Sequence, residues 1–526
     1  MQIWTWRSFL LASVITANCL SGNAALADVN TFTVDSVEDE IDIDTTDGVC
    51  MTASGQCTLR AAVMSANKAS GVLATVIVPA GTYFLIRPAP QDPNDDRGGA
   101  LKLLPPPVGS TPITITGIGK PVIDGSQIDS VLRVMGGRVA SISGVTFRNG
   151  FSQYGGGIDN DGSLTLTDCT VTDNTASLEG GGIFNSNSLY AVQSTVAANH
   201  AVYGAGIYNT RAVKAIYSTL SGNIAQTGGG AAFSSGGGEI GTSGKLEIDY
   251  CLLTGNTALL GGAVAVNGPL TIEHSTVSGN HAKFGGGLYI DVLRLGISST
   301  LAQDTISGNT ADANGDPTGG LGGGIYAQDG FLIVKDTTLA QNIASGSGGA
   351  FFNAANPYTD VNFYNSTIAF NDADGDQDAS GTGGGIYLQN SNGNGVNLYN
   401  TILAENTRGN KATSDDCGAD ATGVLKTHAR NLFGEAVYCP TNVISGAFTL
   451  LTPLQSSLGP LQNNGGPTQT IALLPGSNAI DGTSVTGSVC YDPAGPLTID
   501  QRDYPRTGAC DVGAFEYDGI FIDGFQ

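Results

Sequence analysis

Lys214, Glu247, Asp249 and Glu273 carry the groups needed to abstract a proton beside a metal ion. A divalent cation gripped by carboxylates acidifies a neighbouring carbon-bound proton, and a basic side chain then removes it. Their spacing brings them together. Lys214 and Glu247 stand nine residues before Asn223 and Asn256, and Asp249 and Glu273 stand seven before Asn256 and Asn280. In a strand, positions seven and nine before a marker share one face. Three acids would then cluster on adjacent turns of the chain, with Lys214 one turn away. The same four residues also read as the mixed-charge face of a solvated strand.

Two acidic stretches form a second candidate. "DANGD" supplies Asp312, Asn314 and Asp316, and "DADGDQD" supplies Asp372, Asp374, Asp376 and Asp378. Alternating Asp around a central Gly lets hard oxygen ligands converge on Ca2+, although the distal Glu of an EF-hand is absent. Solvated acidic turns have the same composition. A third candidate is the aromatic series Phe184, Tyr208, Tyr289, Tyr326, Phe352 and Tyr387. If it faces outward, Tyr326, Phe352 and Tyr387 stack on consecutive turns and offer faces for a sugar, or they stiffen the stack. His200 and His281 directly follow a repeating Asn, and His274 and His428 show no partner at ligand spacing. No metal role is assigned to any histidine.

The elements that position these residues are repeats. Stretches such as "STVSGNHAKFGGGLYI" recur around Asn149, Asn174, Asn199, Asn223, Asn256, Asn280, Asn309, Asn342, Asn371 and Asn406, with shortest spacings of 24 and 25 residues. Three before the Asn, the residue is Val171, Val196, Leu220, Leu253, Val277, Ile306, Leu339 or Ile368. Positions eight and ten before are mostly apolar and those between mostly polar, which is strand alternation. A strand, an Asn corner, a glycine bend and another strand in that length predict one coil of a right-handed parallel β-helix. Asn is expected to take left-handed geometry at the corner and to stack its amides along the axis. Glycine supplies the tight bend.

Glycine numbers 76 of 526 residues, the hydrophobic share is 41%, and acids outnumber bases 46 to 22 for a net charge of −24. That charge argues against nucleic acid and anionic membranes as partners. Residues 1–27 read as an export signal ending in Ala25-Leu26-Ala27, so cleavage after Ala27 and a secreted or cell-surface location are expected. Nothing later is long and apolar enough to span a bilayer as a helix. Cys50 with Cys57, Cys417 with Cys439 and Cys490 with Cys510 lie close in sequence, and export makes three disulfides the expectation. Cys169 and Cys251 occupy a small-residue column three coils apart, about 14 Å at strand spacing. Both are expected to be free and buried.

At the N-terminus, "CTLRAAVMSAN" predicts an amphipathic helix capped by Thr58 that protects an exposed edge. The string Cys57-Thr58-Leu59-Arg60-Ala61-Ala62 resembles the CSLREA domain, with Thr for Ser and Ala for Glu. "LGPLQNNGGPTQTIALLPGSNAIDGT" and "DQRDYPRTGACDVGAFE" look like the choice-of-anchor Q domain, which commonly precedes surface attachment signals. The terminal "IFIDGFQ" is similar to a motif of secreted proteobacterial proteins. The middle coils resemble the pectin-lyase-like superfamily and the repeats of polymorphic outer membrane proteins. The first of these implies that a Ca2+-assisted lyase can be built on such a face. The fold hosts enzymes, adhesins and inert shafts alike.

The organisation expected is a signal over 1–27, an N-terminal cap over 28–75, β-helix repeats over 76–406, a C-terminal region over 407–517 and a tail over 518–526. The expected fold is all-β, a single-stranded parallel β-helix with a short capping helix and a disulfide-containing C-terminal cap. The function expected is a non-catalytic exported monomer that binds a polysaccharide or cell-surface partner. The alternative is a Ca2+-assisted lyase or a hydrolase acting on acidic polysaccharide.

Overall fold

The computed structural model describes residues 29–518 apart from 70–72, 107–111, 236–243, 293–297, 313–318, 355–358, 379, 390–394, 421–422, 435–443, 451–456, 482–489 and 493. The export signal and the terminal "IFIDGFQ" lie outside the described residues.

The chain winds as a parallel β-helix. In one coil, strands Ser163–Thr167, Thr170–Thr172, Thr175–Glu179 and Ile183–Asn185 follow one another. Each pairs in parallel with its counterpart in the next coil: Ser188–Val192, Thr195–Ala197, His200–Tyr203 and Ile207–Asn209. The first two strands of every coil share one broad sheet of 27 strands, and the last belongs to a sheet of 12. The predicted inward column, Val171 through Ile368, is buried throughout, together with Leu164/Leu166, Leu246/Ile248 and Leu270/Ile272. Alternation in sequence has become alternation of burial.

The asparagines form a continuous file. Asn174 Nδ2 donates to Asn199 Oδ1 at 3.0 Å, and the contact repeats through Asn223, Asn256, Asn280, Asn309, Asn342, Asn371 and Asn406 at 2.9–3.0 Å. From Asn199 onward each Oδ1 also accepts the backbone N–H of the preceding Asn, as Asn256 does from Asn223 at 3.1 Å. The file ends on an acceptor, Asp416 Oδ1, which takes both Asn406 N–H and Asn406 Nδ2 at 2.9 Å. One expectation changes here. Asn149 is itself left-handed at φ 54°, but from Asn174 on the left-handed residue is the one before the Asn, with φ of 56° at Asp173, 53° at Ala198 and 62° at Phe370, whereas the file's own asparagines keep negative φ. The Asn must aim its amide along the axis, so its neighbour makes the turn. A second left-handed column lies six residues before each Asn and includes Tyr217, Tyr250, His274 and Gln303, at φ 49–58°.

The glycine triplet has two physical reasons. Its first member turns left-handed, as Gly180 does at φ 67°. At its second, a Cβ on Gly181 would stand 2.4 Å from the His200 carbonyl oxygen of the next coil, closer than atoms can approach.

Strand β1 (Val29–Thr33) begins the stack, helix α1 (Leu59–Lys68) follows, and β2 (Leu73–Val78) pairs with β1 in parallel. Thr58 Oγ1 accepts Ala61 N–H at 3.2 Å as the helix cap. Leu59, Ala62, Val63 and Ala66 are buried in the core cluster that runs on through the coils. Arg60, 1% exposed, pairs with Asp39 at 2.6 Å and donates to Gly99 and Ala100 carbonyls. The Arg of the "CTLR" string thus clamps the helix to the first coils.

Disulfides join Cys50 to Cys57 and Cys490 to Cys510. Cys417 is also disulfide-bonded, while Cys439 lies outside the described residues. Cys169 and Cys251 are free and buried, as their column required.

The C-terminal region does more than close the end. It runs back along the broad sheet and covers the coils from Asp304 to Asn400. Gln501 Nε2 donates to Asp304 O at 2.8 Å, and Gln501 Oε1 accepts from Thr338 Oγ1 at 2.6 Å. Arg506 bridges Asp336 at 2.7 Å and Glu516 at 3.1 Å, all buried. Leu473, Ala479, Val512 and Phe515 pack on Ile402, Ala404 and Leu432.

Two outcomes follow. Asn280→Ala removes the acceptor of two Asn256 donors and should cost about 3 kcal/mol in chemical denaturation, with Ser278→Ala near neutral. Burial pushes the Cys251 thiol up to about 11 and the Cys169 thiol in the same direction. Iodoacetamide at about pH 8 should therefore leave both unmodified in the native chain and label both after denaturation, read by peptide mass.

Candidate functional site

The broad sheet holds Lys214, Glu247, Asp249 and Glu273 in register: Lys214 opposite Glu247, and Asp249 opposite Glu273. The structure divides them into two groups. Lys214 Nζ lies 3.7 Å from Glu247 Oε2, and Lys245 pairs with the other oxygen of the same carboxylate. Asp249 and Glu273 turn instead to His274. Its Nδ1 is 3.2 Å from Asp249 Oδ1, and one ligand atom from each of Asp249, Glu273 and His274 lies within 4.8 Å of the others.

The sequence reading left His274 without a role because no partner stands at ligand spacing from it, and plain strand alternation would place residues 273 and 274 on opposite faces. The left-handed turn at His274, φ 49°, overrides that and leaves its side chain beside Asp249 and Glu273. Its ring stacks on Tyr250 at 4.5 Å with a 3° interplanar angle, and Tyr250 stacks on Tyr217 at 5.0 Å. Across the ring, Nε2 is 3.5 Å from Asp503 Oδ1 of the C-terminal region. Gln303 Nε2 holds that same oxygen at 2.6 Å. Burial, then the charges of Asp503, Asp249 and Glu273 among others, raise the Tyr250 phenol above its usual value.

Beside this cluster an open groove of about 310 Å³ is lined by Tyr217, Thr219, Tyr250, Leu252, His274 and Pro467. Tyr217 is 59% exposed. Pro467 and Asp503 come from the C-terminal region, so that region forms one wall.

The acidic stretches behave differently from one another. Asn314 and Asp316 lie outside the described residues, and Asp312 is half-buried. Asp372 is buried and already accepts Thr407 Oγ1 at 2.6 Å and Lys411 N–H at 3.0 Å. Those contacts spend it on holding the next coil. Asp374, Asp376 and Asp378 bring one oxygen each within 4.8 Å of the others, an arrangement suited to a hard cation. Hydrogen bonds from Ser380 hold the Asp378 carboxyl below its usual range.

The aromatic column stacks as expected, with centroids 5.1 Å apart for Tyr326–Phe352 and 5.2 Å for Phe352–Tyr387. Its reading as a sugar platform is corrected. Phe352 is 1% exposed and Tyr326 8%, because each ring covers the next and Ala354 packs against them. Their faces are closed, and the column stiffens the stack.

No family model and no curated protein matches the sequence. Among solved structures, the crystal structure of pectate lyase Pel9A aligns over 94% of this chain and 97% of that one, at 11% identity and a TM-score of 0.30. A likeness at that level says nothing about activity. The β-helix rests on the strand pairings themselves.

The wall formed by the C-terminal region can be tested. Burial pushes Asp336 up to about 6 and Glu516 up to about 7, while Arg506 opposes both. Arg506→Ala leaves these acids buried without a cation, at about 3–5 kcal/mol. Limited proteolysis should then cut within 457–517 while the coils stay resistant.

Proposed function

We propose that this chain is an exported, non-catalytic β-helix of the bacterial cell surface or secretome, resembling choice-of-anchor Q proteins, that binds a glycan or protein partner. One observation carries the reading: Lys214, the one base of the four-residue cluster, is engaged with a carboxylate. Lys214 and Lys245 share Glu247, and Asp249 is held by His274. A proton-abstracting base needs an open position beside its substrate. Lys214 has a carboxylate there instead. The open feature is the groove beside Tyr217, whose exposed ring offers an apolar face with a polar tip, as binding surfaces do. Calcium enters this reading through Asp374, Asp376 and Asp378, at the weak affinity of extracellular sites.

The test is catalytic. A panel of uronate polysaccharides is incubated with the full chain, with and without Ca2+, and ultraviolet absorbance of unsaturated product is followed beside Lys214→Ala and Glu273→Ala. No product from any of the three proteins is expected, nor any reducing ends from hydrolysis. Ca2+-dependent product lost in both variants would make the chain a lyase and end the proposal.

A further inference from the structure

His274 sits among acids that have no base. Asp249, Glu273 and Asp503 surround one imidazole, and among the described residues no Lys or Arg lies within salt-bridge distance of any of the three. Other acids of the same sheet have cationic partners: Glu247 has two lysines, Asp336 has Arg506, and Asp168 has Lys120. Two half-buried carboxylates, Asp249 and Glu273, and the more exposed Asp503 around one imidazole leave negative charge that a cation would balance.

The donors also converge. Asp249 and Glu273 are in-register partners on adjacent coils, which fixes their backbones at strand spacing. His274 is turned beside them by its left-handed backbone, and the Tyr250 stack fixes its ring plane. Nδ1 to Asp249 Oδ1 is 3.2 Å. Two donors of a tetrahedral metal with bonds of about 2.0–2.2 Å are about 3.3–3.5 Å apart, so this pair needs only a small adjustment. Glu273 brings a carboxylate oxygen within 4.8 Å of the other two ligand atoms. On the far side of the ring, Nε2 faces Asp503 at 3.5 Å. A carboxylate on the second nitrogen is how metal-binding histidines are oriented.

We infer that Asp249, Glu273 and His274 form a first-row transition-metal site of the Zn2+ class, with Asp503 of the C-terminal region orienting His274. The imidazole sets the class: Ca2+ and Mg2+ take all-oxygen sites, whereas one nitrogen with two carboxylates suits Zn2+ and its neighbours. Water fills the remaining position. The site joins two coils to the C-terminal region. It stands independently of the function proposed above, since binding and lyase readings both accommodate it.

Chelator-stripped full chain is titrated with Zn2+ against a chromophoric competitor, with Ca2+ and Mg2+ as comparators. One tight Zn2+ per chain is expected, bound at least about tenfold more tightly than either comparator. His274→Gln and Glu273→Gln should each weaken Zn2+ at least about tenfold, and Asp503→Asn about tenfold. Combined Asp374→Asn, Asp376→Asn and Asp378→Asn should leave it unchanged. Stripped variants are compared with wild type by thermal melting. If His274→Gln does not fold, X-ray absorption on Zn2+-loaded wild type decides, an oxygen shell with one imidazole being expected. Unchanged affinity in folded His274→Gln, loss of Zn2+ in the Asp374/Asp376/Asp378 variant, or a shell without imidazole would overturn the site.

Discussion

A chain that coils on itself must satisfy polar backbone at every corner, out of reach of water. The asparagine file solves this once per coil. From Asn199 onward each amide oxygen takes two donors from the coil before, and each amide nitrogen gives to the coil after and to a carbonyl of the coil before, as Asn199 does to Val171 O at 3.0 Å. Every asparagine of the file is essentially unexposed. A buried amide left unmatched costs more than its hydrogen bond contributes, so the file is all-or-nothing across its length. With the corners fixed, the strands that leave them are held in register and their side chains point where alternation sends them.

The surface inherits that order and departs from it at the second left-handed column. There a residue that should alternate inward is turned to the side of its predecessor. Where the column holds Tyr217, Tyr250 and His274, the rings stack along the axis and bring His274 to Asp249 and Glu273. Where it holds Asp336, the same position receives Arg506 from the C-terminal region. One backbone device thus supplies both an open cluster and the anchoring of its neighbouring wall.

How much of this the sequence carried differs by feature. The inward column, the glycine bends and the buried thiols at Cys169 and Cys251 were legible, because each depends on side-chain size at a repeating position. The division of Lys214 and Glu247 from Asp249 and Glu273 was not, because it depends on Lys245 and His274, which lie outside the columns considered. The covered sheet did leave a trace. Two residues before each Asn, exposed coils carry Thr172, Ala197, Ser221, Thr254 and Ser278, and covered ones carry Ser307, Ala340, Ala369 and Ala404, so the trace is a run of alanines on the last three covered coils alone. A run of small apolar residues at an outward position signals a neighbour, and only the fold shows that the neighbour is the chain's own C-terminal region. For the aromatic column the stacking was readable, but its burial depends on what packs around each ring.

Because every amide in the file points the same way, the shaft has a chemical polarity. One end presents acceptors, met by Gly150 N–H on Asn174 Oδ1 at 2.9 Å. The other presents donors, met by the Asp416 carboxylate. All junctions between are equivalent, whatever loop each coil carries outside. At the asparagine file, then, a duplicated coil would enter in the same orientation as its neighbours, and what sets coils apart is the cover that the C-terminal region lays on those from Asp304 onward. Reach becomes a quantity that evolution adjusts by copying, without redesigning a core.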